Sequence, residues 1–146
     1  YRPAAGSTRM RVGTPPILSM AALDAALDAW DGISMDDVRR ASIALSELFI
    51  AEVERSCPGL VLASPRDPER RGSQVSFRHE HGYAVMQALI VRGVIGDFRT
   101  PDIMRFGFTP LYLRKEDVRH AAGALAEIIA SGAWDRPDFH ERAAVT

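Results

Sequence analysis

Cysteine is almost missing from this chain: Cys57 is the only one in 146 residues. No disulfide can form within it, so the usual mark of a small secreted domain is gone and a reducing cytoplasm is the expected setting. Long apolar runs are missing as well. None reaches the ~20 residues that a membrane helix requires. Tyr1 to Met10 also lack the basic-then-apolar order of a signal peptide. Charge of one sign is not in excess, since 18 basic and 19 acidic side chains leave a formal net charge of -1. That balance offers no long-range attraction to nucleic acid or to an anionic membrane, and neither is expected as a partner.

The short catalytic signatures are absent too. There is no Gly-x-Ser-x-Gly elbow, no Walker loop and no Gly-x-Gly-x-x-Gly turn. Lysine is reduced to Lys115, within Arg114-Lys115-Glu116-Asp117 at the start of an expected helix. An ammonium there is solvated, keeps its proton and is a poor imine-forming nucleophile. The chain opens at Tyr1 without a methionine, so a piece of a longer protein is expected.

What is present is the composition of one compact domain, with 47% hydrophobic and 25% charged residues. Residues Tyr1 to Thr14 read as an irregular entry segment. Pro15 and Pro16 then introduce a helix with Met20, Leu23, Leu27 and Trp30 at helical spacing, stopped at Gly32. Ser34 and Asp37 suit the start of a second helix, which carries Val38, Ile43, Leu45, Leu48, Phe49 and Val53 as far as Cys57, before Pro58-Gly59.

Leu60 to Ala63 has the length of a strand, and Pro65 to Gly72 is a charged turn. Gln74 to His79 alternates, with Val75 and Phe77 inward. A helix over Tyr83 to Ile90 ends at Gly93. Two strands, Val94 to Arg99 and Ile103 to Phe108, flank Thr100-Pro101-Asp102, and a last helix runs from about Arg114 to Ser131. The tail beyond Gly132 is expected to be loose. This order predicts an α+β domain: a small, mostly antiparallel sheet with helices on one face.

Four candidates for chemistry emerge. Arg105 sits between Met104 and Phe106 in an expected half-buried strand, where a guanidinium needs an anion. Its fork suits a carboxylate or phosphate guest, or an internal ion pair with Asp97 or Asp102, and spacing leaves both open. Gly13-Thr14 ahead of a helix could hold an anion, although Thr14 as a plain helix cap is the ordinary use. His79 and His81 form a His-x-His pair, but no further ligand set completes a metal site and none is expected. Cys57 reads as a structural thiol.

Four segments, in order, carry a resemblance. They are Gly13-Thr14-Pro15-Pro16-Ile17-Leu18-Ser19, Arg71-Gly72-Ser73-Gln74-Val75-Ser76, Gly93-Val94-Ile95-Gly96-Asp97-Phe98-Arg99, and Arg105 through Tyr112. Together they resemble kynureninase, a fold type I enzyme of the aminotransferase-like superfamily that uses pyridoxal 5'-phosphate. The resemblance implies residues 1–16 as a lead-in from a large cofactor-binding domain and 17–146 as the carboxy-terminal small domain. It implies a homodimer, a missing large domain of the same polypeptide as partner, and hydrolysis of L-kynurenine or 3-hydroxykynurenine to anthranilate or 3-hydroxyanthranilate and L-alanine.

By the same resemblance Arg105 holds the substrate α-carboxylate, Gly13 lies beside its aromatic ring, and Thr14 reaches the cofactor phosphate. The lysine that binds the cofactor belongs to the large domain, so no catalytic residue and no activity are expected of this chain alone. A cysteine desulfurase-like enzyme of the same fold type and a stand-alone α+β ligand-binding module are the alternatives.

Overall fold

The computed structural model describes residues 2–11 and 13–141. The chain divides into two compact units, Tyr1–Ser34 and Met35–Thr146. The first holds a 3-10 turn at Gly6–Met10, helix α1 at Ile17–Leu27 and a second 3-10 turn at Asp28–Trp30. Gly32, at φ +73°, follows the second turn in the left-handed region that glycine enters without a Cβ penalty. Apolar residues surround α1 instead of forming one stripe, because Ile17, Leu18 and Ala21 add to Met20, Leu23 and Leu27.

The second unit begins with α2, Met35–Ser56. Its buried positions, Ser42, Leu45, Ser46, Phe49, Ile50 and Val53, recur every three or four residues and make one continuous stripe. The stripe differs from the apolar side expected from sequence: Ser42 and Ser46 are inside, whereas Ile43 and Leu48 are only half-buried. Strands β1 (Val61–Leu62) and β2 (Gln74–Arg78), helix α3 (Gly82–Val91), strands β3 (Asp97–Arg99) and β4 (Ile103–Gly107), and helix α4 (Lys115–Ser131) follow. The order of helices and strands is the one the sequence predicts. At the head of α4 the backbone N–H of Arg114 donates to Asp117 Oδ2 at 2.7 Å, and at its end Gly132 adopts φ +66°.

All strand pairs are antiparallel, in the order β1-β2-β4-β3. β4 therefore lies in the middle, paired on both sides. Residues directly opposite in such pairs share a face. Val75 lies opposite Phe106, and Phe77 opposite Met104, which in turn faces Phe98. These side chains meet Phe49, Ile50, Met86, Leu89, Leu125 and Ile128 from the helices in one core. The architecture is α+β with the helices on one face of a small antiparallel sheet.

The charged turn expected over Pro65 to Gly72 is built around a buried arginine, Arg71. Its guanidinium donates to the carbonyls of Pro65 (3.0 Å) and Arg66 (2.6 Å) and pairs with Glu47, while Arg39 reaches the carbonyls of Pro68 and Arg71. Two arginines thus pin the loop to α2. One expectation needs correcting: among the described residues the segment after Gly132 is not loose, because α5 (Pro137–His140) forms and Trp134 and Phe139 pack against the core.

Candidate functional site

Met104 and Phe106 turn inward from β4, so the alternation of the strand sends Arg105 to the other face. That corrects the expectation of greasy surroundings. Met104, Phe106 and Phe108 are all core residues, and the row in which Arg105 stands is polar: Ser76 on β2 at one side, Asp97 on β3 at the other. Arg105 Nη2 donates to Asp97 Oδ2 in an ion pair. Arg99 Nη2 approaches the same carboxylate oxygen at 3.3 Å. Asp102, the other acid within reach in the sequence, pairs instead with Arg78 at 3.2 Å.

The ion pair leaves the guanidinium partly unused. Arg105 Nε is buried and has no acceptor among the described residues. A buried donor in that state costs ~1–3 kcal/mol, and a guest from solvent can meet only the exposed part of the side chain. The side chain remains 27% exposed and that of Asp97 44%.

β3 is held tightly against β4. A Cβ on Gly96 would lie 2.9 Å from the carbonyl oxygen of Arg105 and 2.7 Å from Met86 Cε. Glycine is therefore required next to Asp97, and this close approach fixes the acid opposite the arginine.

Gly13 and Thr14 belong to the first unit and are exposed. Gly13 has φ +121°, a conformation that side chains with a Cβ rarely adopt. The residue capping α1 is Pro16, with no side-chain cap hydrogen bond, so the Thr14 hydroxyl is not spent on the ordinary helix cap that its position suggested.

Lys115 is exposed in the first turn of α4, as a solvated cation would be. Burial pushes the Cys57 thiol above its usual range, which keeps it protonated and unreactive.

Among the described residues no group of three or more His, Cys, Asp or Glu is placed to hold a metal ion, and no helix is long and apolar enough to cross a membrane. The histidines do something that their spacing did not reveal. His81 stacks on Trp134 with ring centroids 4.4 Å apart, and His79 and His140 meet the same indole edge-on. The sequence carried no signal for this cluster, because Trp134 and His140 lie in the tail expected to be loose. An apolar cleft of about 270 Å³ lies between the Gly93–Ile95 segment and α4, with Val94, Phe108, Val118 and Ala121 in its walls. Arg105 is not among its lining residues.

Comparison with known proteins agrees with this arrangement. The family model described as the kynureninase C-terminal domain matches residues 38–125, from the first turns of α2 well into α4. Kynureninases of Burkholderia mallei (strain SAVP1) and Burkholderia pseudomallei (strain K96243) are each 51% identical to this chain, over all of it and 36% of their own length. The kynureninase of Pseudomonas fluorescens is 48% identical over the same shares. The chain thus spans about 36% of the length of these relatives. With the matched residues covering the core helix, the whole sheet and the Asp97–Arg105 pair, the chain belongs to the kynureninase family, as its C-terminal domain.

Proposed function

We propose that this chain is the part of a kynureninase that receives the carboxylate of the amino-acid substrate, with Arg105 as the receiving group. The parent enzyme then hydrolyses L-kynurenine, or 3-hydroxykynurenine, to anthranilate or 3-hydroxyanthranilate and L-alanine. The observation that carries this reading is Arg105 on the central strand, fixed at one end by Asp97 while its side chain stays 27% exposed. A carboxylate meeting a guanidinium edge gains two parallel charge-assisted hydrogen bonds, each worth ~1.5–3 kcal/mol. Two such bonds also set the rotation of the amino acid, and with it the Cα bond that lies ready to break.

Pyridoxal 5'-phosphate, when bound, supplies the electron sink for that bond. This chain's own residues fit the group only in part. Thr14 offers a hydroxyl not committed to a helix cap, and Gly13 offers an approach without a Cβ, whereas Lys115 is solvated at the head of α4 and suits no buried imine. The remaining cofactor contacts therefore belong to the large domain, and the chain alone is expected to be inactive. Exposed Val91, Ile95 and Tyr112 on the second unit support a surface that the large domain covers. A homodimer, in which Thr14 serves the partner's site, follows from the family likeness, as does a cytoplasmic setting. The family match favours kynureninase over a desulfurase-like enzyme or a stand-alone module.

The test uses the full-length protein and the fluorescence of released anthranilate. Arg105→Ala is expected to raise KM by about 100-fold or more, the loss of two charge-assisted bonds, and Arg105→Lys to recover part of it as a point charge without the fork. Unchanged KM in Arg105→Ala would remove the proposed role. A cofactor-loaded full-length protein that releases no anthranilate would remove the activity.

A further inference from the structure

We propose that Asp97 is a positioning residue for Arg105, seating one end of the guanidinium so that its remaining edge meets the substrate carboxylate in a fixed orientation. This rests on the carboxylate-binding reading of Arg105 and adds to it a residue that never touches the substrate. Three observations lead here.

The first is register. Asp97 is directly opposite Arg105 in an antiparallel pair, on the face away from the core. The Gly96 approach to the Arg105 carbonyl allows β3 no slack, so the acid is held at constant range. A long arginine side chain otherwise samples many rotamers, and freezing them at the moment of binding costs affinity.

The second is charge. Arg99 and Arg105 share the single carboxylate of Asp97, which leaves this cluster one positive charge in excess. Asp97 therefore anchors the pair without neutralising it. An anionic guest completes the balance, where a second acid in the row would have excluded it.

The third is the division of donors. Nη2 is taken by Asp97 and Nε is buried, while 27% of the side chain stays exposed for a guest. On the other flank stands Ser76, uncharged and already accepting from Gln74 Nε2 at 3.3 Å. Asp97 is thus the acid that determines which way the fork points.

The experiment compares kcat/KM for kynurenine and for its α-carboxamide, which keeps the shape but loses the charge, in the full-length enzyme. Asp97→Asn keeps the size of the side chain and removes its charge. The preference for the carboxylate over the carboxamide is expected to fall on the order of 10-fold, mostly through KM, as for any lost orientation of a charge-assisted pair. A merely structural role would lower both substrates alike, and that result, or no change, would overturn the proposal.

Asp97→Glu keeps the charge but displaces it by one methylene, so its preference should lie between those of the native protein and Asp97→Asn. If the asparagine variant does not fold, an unaltered preference in Asp97→Glu overturns the proposal by itself. Arg105→Ala is the control. If it retains the preference, the carboxylate-binding reading fails; if it loses the preference and the Asp97 variants do not, only the role of Asp97 fails.

Discussion

At His79 a ring nitrogen works as an acceptor. Its Nδ1 receives the backbone N–H of His81 at 3.1 Å, and its carbonyl receives that of Gly82 at 2.9 Å, together forming the turn that opens α3. A protonated imidazole cannot accept, so the turn requires the neutral ring. Burial, and then the neighbouring charge of His81, lower the His79 pKa, while Glu80 opposes them. Trp134 packs on the ring, and the backbone of Asp102 accepts from the His79 N–H.

The native state therefore binds fewer protons here than the unfolded chain. Stability is full above the unfolded imidazole pKa of about 6.5 and declines as pH falls through it toward the lower folded value. Urea unfolding midpoints should drop between pH 8 and pH 5, and His79→Gln should flatten that dependence. An equal slope in the variant would assign the acid sensitivity elsewhere. Nothing in a single His-x-His spacing disclosed this role, because the turn and the indole that define it come together only after folding. Arg105 was legible to a different degree. Its place in an alternating strand and the acids near it could be read directly, but which acid it would choose depended on the β3–β4 register.

Among the elements, strands and helices whose side chains follow a strong period were read nearly to their ends. Val75 and Phe77 are inward on β2, and Val118, Ala122, Leu125 and Ile128 line α4 as their spacing implies. The misses share a cause. Ser42 and Ser46 are buried on α2, and Ser46 can be so because its hydroxyl donates to the carbonyl of Ile43 and lies 3.5 Å from Arg71 Nη2, partners that the apolar period does not disclose. Strand β3 was read as Val94 to Arg99 but begins at Asp97, and Gly96 explains why that boundary matters.

An alanine at Gly96 brings its Cβ to within 2.9 Å of a backbone oxygen of β4, which cannot move aside as a flexible side chain could. The expected result of Gly96→Ala is a loss of about 1–3 kcal/mol, as for other overpacked sites, with β3 displaced from β4. Because Asp97 travels with that strand, the full-length variant should also show a raised KM for kynurenine. A variant with native stability and native KM would mean that the two strands separate without consequence.

On the scale of the whole molecule, the distribution of burial sets out which part can fold by itself. Every buried member of the core lies between Leu45 and Ile128, and the half-buried side chains packed on it extend only to Phe139. All of them belong to the unit Met35–Thr146. Helix α1, by contrast, spreads its apolar residues over all sides, the pattern of a helix meant to be surrounded, and no residue of it is buried. The division into residues 1–16 and 17–146 is what the family resemblance implies, whereas the two compact units meet at Ser34 and Met35.

Since no apolar member of the core precedes Leu45, a chain beginning at Met35 should keep the cooperative unfolding of the longer one. Its midpoint in urea should match that of the longer chain, with the m-value reporting the surface exposed by the second unit. A large drop in midpoint would mean that α1 is part of the core after all.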